Sequence, residues 1–375
     1  MRMRSRGRND APLRSRAFTR SRYTRVMARS PIATGVLLAA CAAVAFGVAT
    51  PIVAWAGRDV GPLSTAALLY LGAALTALVL QLLVPRREPG VRRSDAPRLI
   101  AIAVAGGAIA PSLLAWGLQR AGATAGALLL NLEAVFTVLL ARAFFQEPIG
   151  RRVAIAVACM AAGGTALTLD SSANGRFGMF GILAVAGATA AWSLDNTLTR
   201  PLAERDPFQV ILVKGALGAS LTGAVAIVRG EPLPPMDHVG VLLACGATGY
   251  GASLYLYLVA QRRIGAGRTG SVFALAPFIG AALAWALGDR HAGAFAIAAA
   301  GLFAFGVYLH LSERHGHRHV HDPVEHDHVH RHDDEHHLHA HDPPFVGEHS
   351  HPHHHDSIEH EHEHAPDIHH GHDHR

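Results

Sequence analysis

Ten apolar runs, each of about 20 residues, occupy the chain at about 32–55, 63–84, 97–118, 121–144, 150–169, 177–198, 208–228, 238–260, 267–288 and 291–311. A run of that length is what an α-helix needs to cross the hydrocarbon of a bilayer. Inside that hydrocarbon every backbone N–H and C=O must find its partner within the protein, and helices satisfy this segment by segment. The runs therefore predict an all-α integral membrane protein with ten transmembrane helices. Several are rich in Gly and Ala, as at 103–110, 161–166 and 296–304, which lets helices approach closely in lipid.

The charges fall between the runs or after them. Up to Ser312 there are 29 basic and 13 acidic residues; from Glu313 onward there are 4 and 15. Loop arginines that fix orientation explain the basic body, so the high pI does not imply a nucleic-acid partner. Residues 1–30 hold ten arginines and one acid, Asp10, and read as a disordered cytoplasmic leader. Met27 is an alternative start directly before the first run, which is too long for a signal-peptide core. Cys41, Cys159 and Cys245 lie in three different runs, which excludes a disulfide framework or a CxxC metal knuckle.

The two halves repeat one another. Gly35 to Phe46 aligns with Gly181 to Trp192, Arg120 to Ala123 with Arg263 to Ala266, and Leu132 to Phe136 with Leu275 to Ile279. The order is kept at offsets of 143 to 146 residues, so a duplication is expected, with repeats at 31–170 and 176–312. Each repeat has five helices, and an odd-numbered copy must cross the membrane in the opposite sense. The arginines agree: Arg120 stands alone between helices 3 and 4, whereas the partner loop between helices 8 and 9 has Arg262, Arg263 and Arg268. By the positive-inside rule both termini are cytoplasmic, and the expected location is the bacterial inner (plasma) membrane. Two inverted halves give two near-equivalent conformations, one open to each side, which is how carriers alternate access.

The ten-helix plan, the Trp192 helix and the stretch Leu132-Glu-Ala-Val-Phe-Thr-Val-Leu-Leu-Ala-Arg-Ala-Phe-Phe-Gln-Glu147 resemble the EamA-type carriers of the drug/metabolite transporter superfamily. In such carriers each half has a Pro-Val-Phe-like turn followed by Gly-Glu at the membrane edge. The second half keeps this as Ala276-Pro-Phe-Ile-Gly280 with Gly288-Asp289; the first half has Ala134 for the proline and Gln146 for the glycine. Many members also have a basic residue seven positions after the proline that matches Pro207. Lys214, the one lysine of the chain, stands there, and the first half has Leu69 instead. The resemblance implies an EamA-like fold and a small metabolite as substrate.

An ionisable side chain at bilayer depth is costly unless paired or hydrated, so each one within a run is a candidate site. Glu133, beside Asn131 in helix 4, is the candidate for a proton or cation relay. Asp195, beside Asn196 in helix 6, and Lys214 in helix 7 both lie about 7 to 11 Å inside the cytoplasmic edge at 1.5 Å per residue. Asp195 and Lys214 are close enough in depth to pair, either as a static lock or as a pair that works in transport. Trp116 and Trp192 are candidate cavity-lining rings, although a tryptophan in an apolar helix more often serves packing or the interface. No Walker loop, HExxH pair or nucleophile elbow is present, which argues against ATP-driven transport and against an enzyme.

Of the 27 histidines, 24 lie between His315 and Arg375. They recur as H-x-H: His315, His317, His319 and His321; His326, His328, His330 and His332; His360, His362 and His364. Imidazoles mixed with carboxylates and no cysteine suit Zn²⁺, Ni²⁺, Co²⁺ or Cu²⁺. With almost no apolar residues, the tail is expected to be disordered and to buffer metal at interchangeable sites. The chain thus reads as a secondary transporter needing no cofactor. Its expected partners are the bilayer, a small-molecule substrate and a coupling proton or cation, with a homodimer left open. Two alternatives stand beside it: a divalent-metal transporter fed by the tail, and a membrane-anchored metal sensor or buffer.

Overall fold

The computed structural model describes residues 31–84, 89–145, 149–172, 176–202, 205–232, 234–289 and 293–311 of the body, and 316–320, 324–330, 349–355 and 359–363 of the tail. The body is helical. The first half comprises α1 (Pro31–Ala56), α2 (Pro62–Leu83), α3 (Ala96–Ile102), α4 (Ala110–Ala121), α5 (Ala123–Leu129), α6 (Leu132–Phe145) and α7 (Arg151–Ser172). The second comprises α8 (Arg176–Thr199), α9 (Pro207–Val228), α10 (Met236–Cys245), α11 (Ser253–Phe273), α12 (Ala276–Ala286) and α13 (Ala294–Leu311). Among the described residues nine helical stretches are long and apolar enough to cross a membrane, and α13 supplies a shorter apolar helix where the tenth crossing was expected. This is a multi-pass membrane protein.

Helix starts follow the sequence. Pro62 and Pro207 open α2 and α9, where the missing N–H is harmless and the fixed φ suits the first turn. Asp206 caps α9 by accepting from the Phe208 N–H at 2.9 Å. α3 and α4 are one crossing joined by a π-helical segment, Ala103–Ile109, and α10 and α11 are joined by a second, Gly246–Ala252, 143 residues later. The helix-4 run breaks at Leu130 and Asn131, between α5 and α6; its counterpart breaks at Ala274 and Leu275, between Phe273 and Ala276. Pro277 accounts for the second break. In the first, the Asn131 side-chain amide and backbone N–H both donate to the Leu128 carbonyl, at 2.9 and 3.1 Å.

The repeats are inverted in space. Helix α2 packs along its counterpart α9, with Gly215 against Tyr70 and Ala74 and Gly223 against Ala67. The contacts descend α2 as they ascend α9, so the two helices run antiparallel. Helices α7 and α13 do the same, with Gly163 against Ala299 and Phe303 and Gly306 against Met160 and Ala156. The remaining packing also obeys the exchange of halves: α1 lies on α11 as α8 lies on α4. One core of buried side chains runs through both repeats, with Leu69, Leu114, Leu129, Val185 and Phe303 among its fully buried members.

In the tail the described residues form four short strands, β1 (Gly316–Val320), β2 (Val324–His330), β3 (His349–His355) and β4 (Glu359–Glu363). β1 pairs with β4 and β2 with β3, both antiparallel. The H-x-H spacing of these segments has the two-residue period of a strand. A two-stranded ribbon is marginal on its own. His315, His321, His332 and His364 lie outside the described residues, as does the leader, 1–30.

Candidate functional site

The π segment between α3 and α4 builds the centre of the site. Its Ala110 N–H is bonded to the Ala105 carbonyl, five residues back. The next amide that would serve the Gly106 carbonyl belongs to Pro111, which has no N–H. The freed carbonyl of Gly106 instead accepts from the Tyr70 hydroxyl of α2 and, at 3.2 Å, from Nε1 of Trp192 on α8. Three helices are fastened at one oxygen. Gly106 also has no room for a side chain: a Cβ there would collide with the Asp195 carboxylate.

Asp195 and Lys214 meet as the sequence suggests. The Lys214 ammonium donates to the Asp195 carboxylate, and both are buried, Asp195 at 1% exposure and Lys214 at 7%. Thr199 Oγ1 donates to the other oxygen of Asp195 at 3.5 Å. Glu133, at the start of α6, stands across the gap from α8. Its carboxylate accepts from the Asn196 amide at 2.7 Å, and its backbone carbonyl accepts from Ser193 Oγ at 2.9 Å. Glu133 is half-buried and Asn196 exposed, so this edge of the cluster is accessible while the ion pair is not. The structure thus brings Glu133, Asp195, Asn196, Lys214 and Trp192 into one region. Asn131 is buried beside them, but its amide is turned onto its own helix.

Aromatic rings close the site from the other side, and sequence reasoning missed them. Phe46 is edge-on to Trp192, with centroids 6.0 Å apart, and also contacts Tyr250 and Phe273, each at 5.7 Å. Tyr70 lies 5.7 Å from Tyr250, and Tyr257 is edge-on to Phe273 at 5.1 Å. An uncharged ring in an apolar run gives no warning of its place; only the Pro111 break in a Gly-rich run pointed to a special backbone. Trp116 carries the Arg120 guanidinium over its ring at 3.9 Å.

Two clasps tie the repeats at the face that carries the few-arginine loops. Glu231, after α9, accepts from the backbone N–H of Leu63 at 3.2 Å and of Ser64 at 2.8 Å, and from Ser64 Oγ at 2.8 Å. Asp289 accepts from the Thr124 N–H at 2.8 Å, which caps α5 from the other repeat. Gly288 turns the chain there with φ of 106°, which gives the Gly288-Asp289 pair a structural meaning. Its first-half counterpart, at 146–147, lies outside the described residues. At the opposite face Asp95 pairs with Arg205 at 2.8 Å, and the Val91 N–H donates to Gln209 at 2.8 Å.

The sequence pattern of the EamA-like transporter family matches residues 33–169 and again residues 179–312. The chain belongs to the EamA-like transporter family. The matched blocks are the two repeats that the antiparallel helix pairs and paired π segments define. The chain is 27% identical over 203 residues to an uncharacterized transporter of Methanothermobacter thermautotrophicus, covering 53% of this chain and 59% of that relative's length. A solved structure, described as a crystal structure of a protein, is matched over 74% of this chain and 98% of its own, with a TM-score of 0.54 and 18% identity. At that identity the likeness is one of fold. Among the described residues no group of three or more His, Cys, Asp or Glu is placed to hold a metal ion.

Proposed function

We propose that this chain is a secondary carrier that moves a small organic solute across the bacterial inner membrane by alternating access. The observation that carries the reading is the cluster of Asp195, Lys214, Glu133 and Asn196, set where two inverted repeats meet. Buried ionisable groups in a membrane bundle mark solute and ion paths, and inverted repeats supply the two conformations that a carrier exchanges. In this reading both termini are cytoplasmic, and Glu133 is the site through which a proton or cation couples. The histidine tail binds divalent ions on the cytoplasmic side as a buffer, and metal is not the solute carried.

The test compares the full chain with residues 1–312 in proteoliposomes. Uptake of at least one member of a panel of radiolabelled amines, amino acids and organic acids is expected in both forms and absent in Lys214→Ala. Zn²⁺ and Ni²⁺ binding is expected in the full chain only. Metal uptake that disappears with the tail would make the divalent-metal transporter the correct reading. Metal binding without flux of any solute would leave the membrane-anchored sensor.

A further inference from the structure

The two π segments are counterparts, and only one of them is held in place. The Ala110 N–H reaches back to the Ala105 carbonyl, and 143 residues later the Ser253 N–H reaches back to that of Thr248. Gly249 therefore stands where Gly106 stands in the first half, and Leu254 where Pro111 stands. Tyr70 and Trp192, which hold the Gly106 carbonyl, have Gly215 and Phe46 as their counterparts in the repeat. Neither of these has a side-chain donor, so the second junction lacks both fasteners.

A π turn is a helical turn with one residue too many. The extra residue can stay in place or pass along the helix, each residue it passes turning by about 100° as hydrogen bonds exchange one at a time. Pro111 forbids that passage in the first half. It has no N–H, and its ring clashes with the carbonyl four residues back in a regular helix, so it needs the widened turn directly before it. The second crossing has no proline from Met236 to Phe273, and Leu254 keeps an N–H that can bond in either arrangement. Beside this segment there is also room. Leu243, Ala244 and Ala247 border an apolar groove of about 420 Å³, whose other wall is Leu75, Thr76 and Leu80 of α2. Tyr250 lies within the segment, and its ring is 5.7 Å from those of Phe46 and Tyr70 and 6.4 Å from that of Trp192. Passage of the extra residue through Tyr250 turns that ring out of the cluster where the repeats meet.

We infer that the α10–α11 crossing is the hinge of the transport cycle, its extra residue passing along the helix, while the α3–α4 crossing is pinned at Pro111 and stays fixed. This rests on the carrier reading above. The test is hydrogen exchange of the full chain in nanodiscs, read by mass spectrometry, comparing the amides of 246–258 with those of 103–115. The two stretches are counterparts in the repeat, so their depth in the bilayer is matched.

Passage breaks each bond in turn, so the second stretch is expected to exchange at least about tenfold faster than the first. Leu254→Pro should slow it to the rate of the first stretch and abolish flux of the amine, amino-acid and organic-acid panel in proteoliposomes. Leu254→Ala, which keeps the N–H, should leave both as they are. Equal exchange of the two stretches in the unaltered chain would overturn the hinge, whether or not Leu254→Pro folds. Undiminished flux through a folded Leu254→Pro variant would overturn it as well, while leaving a carrier. Fast exchange at 246–258 that Leu254→Pro slows, in a chain that moves no solute, would uphold the mobile turn and overturn the carrier reading.

Discussion

At the scale of single residues, the pairing of Asp195 with Lys214 was legible because two charges at similar depth in neighbouring apolar runs have few other ways to be tolerated. The counts from Arg200 and Pro207 placed both near the same level, and the structure joins them. Asn131 was equally conspicuous in the sequence, yet its amide serves the Leu128 carbonyl at the helix break. A polar side chain beside a break has backbone to satisfy, and the sequence does not show the break. Tyr70, Tyr250 and Phe46 were not legible at all, since a ring within an apolar run is ordinary core until its neighbours are known. The ion pair makes a quantitative prediction. Lys214→Met leaves the buried Asp195 carboxylate unpaired and is expected to cost about 3–5 kcal/mol of stability. The neutral double change Asp195→Asn with Lys214→Met should recover most of that. Melting temperatures in detergent read the difference; equal losses in the single and double variants would contradict the account.

At the scale of elements, the run boundaries were largely correct. The second run, expected at about 63–84, is α2 at Pro62–Leu83. What hydropathy concealed is the interruption of four crossings. The two π segments are rich in Ala and Gly, which read as plain apolar helix. The α11–α12 break was announced by Pro277, and the equivalent α5–α6 break has no proline to announce it. Pro111 is the residue that leaves the Gly106 carbonyl free for Tyr70 and Trp192. Pro111→Ala would restore an N–H able to reclaim that carbonyl, so the helix regularises and the three-helix junction loosens. Unchanged or higher thermal stability together with reduced solute flux is expected in proteoliposomes. Flux equal to that of the unaltered chain would show that the junction does not matter for transport.

For the whole molecule, the inverted duplication was readable from three short matches and an arginine count, because topology in membranes is written in loop charge. The antiparallel packing of α2 on α9 and of α7 on α13 is its spatial form. The H-x-H repeat of the tail has the composition of a disordered segment and the period of a strand. The central claim is that the repeats rock against one another, the Glu231 and Asp289 clasps holding one face shut. The direct measurement is double electron–electron resonance in nanodiscs, with spin labels at Asp59 and Asp237 on the clasped face and, separately, at Ser94 and Arg263 on the other. All four positions are exposed. When Glu231→Gln and Asp289→Asn release the clasps, distances between Asp59 and Asp237 should lengthen while those between Ser94 and Arg263 shorten. Distances that stay fixed at both faces, or that lengthen at both together, would contradict alternating access by this molecule.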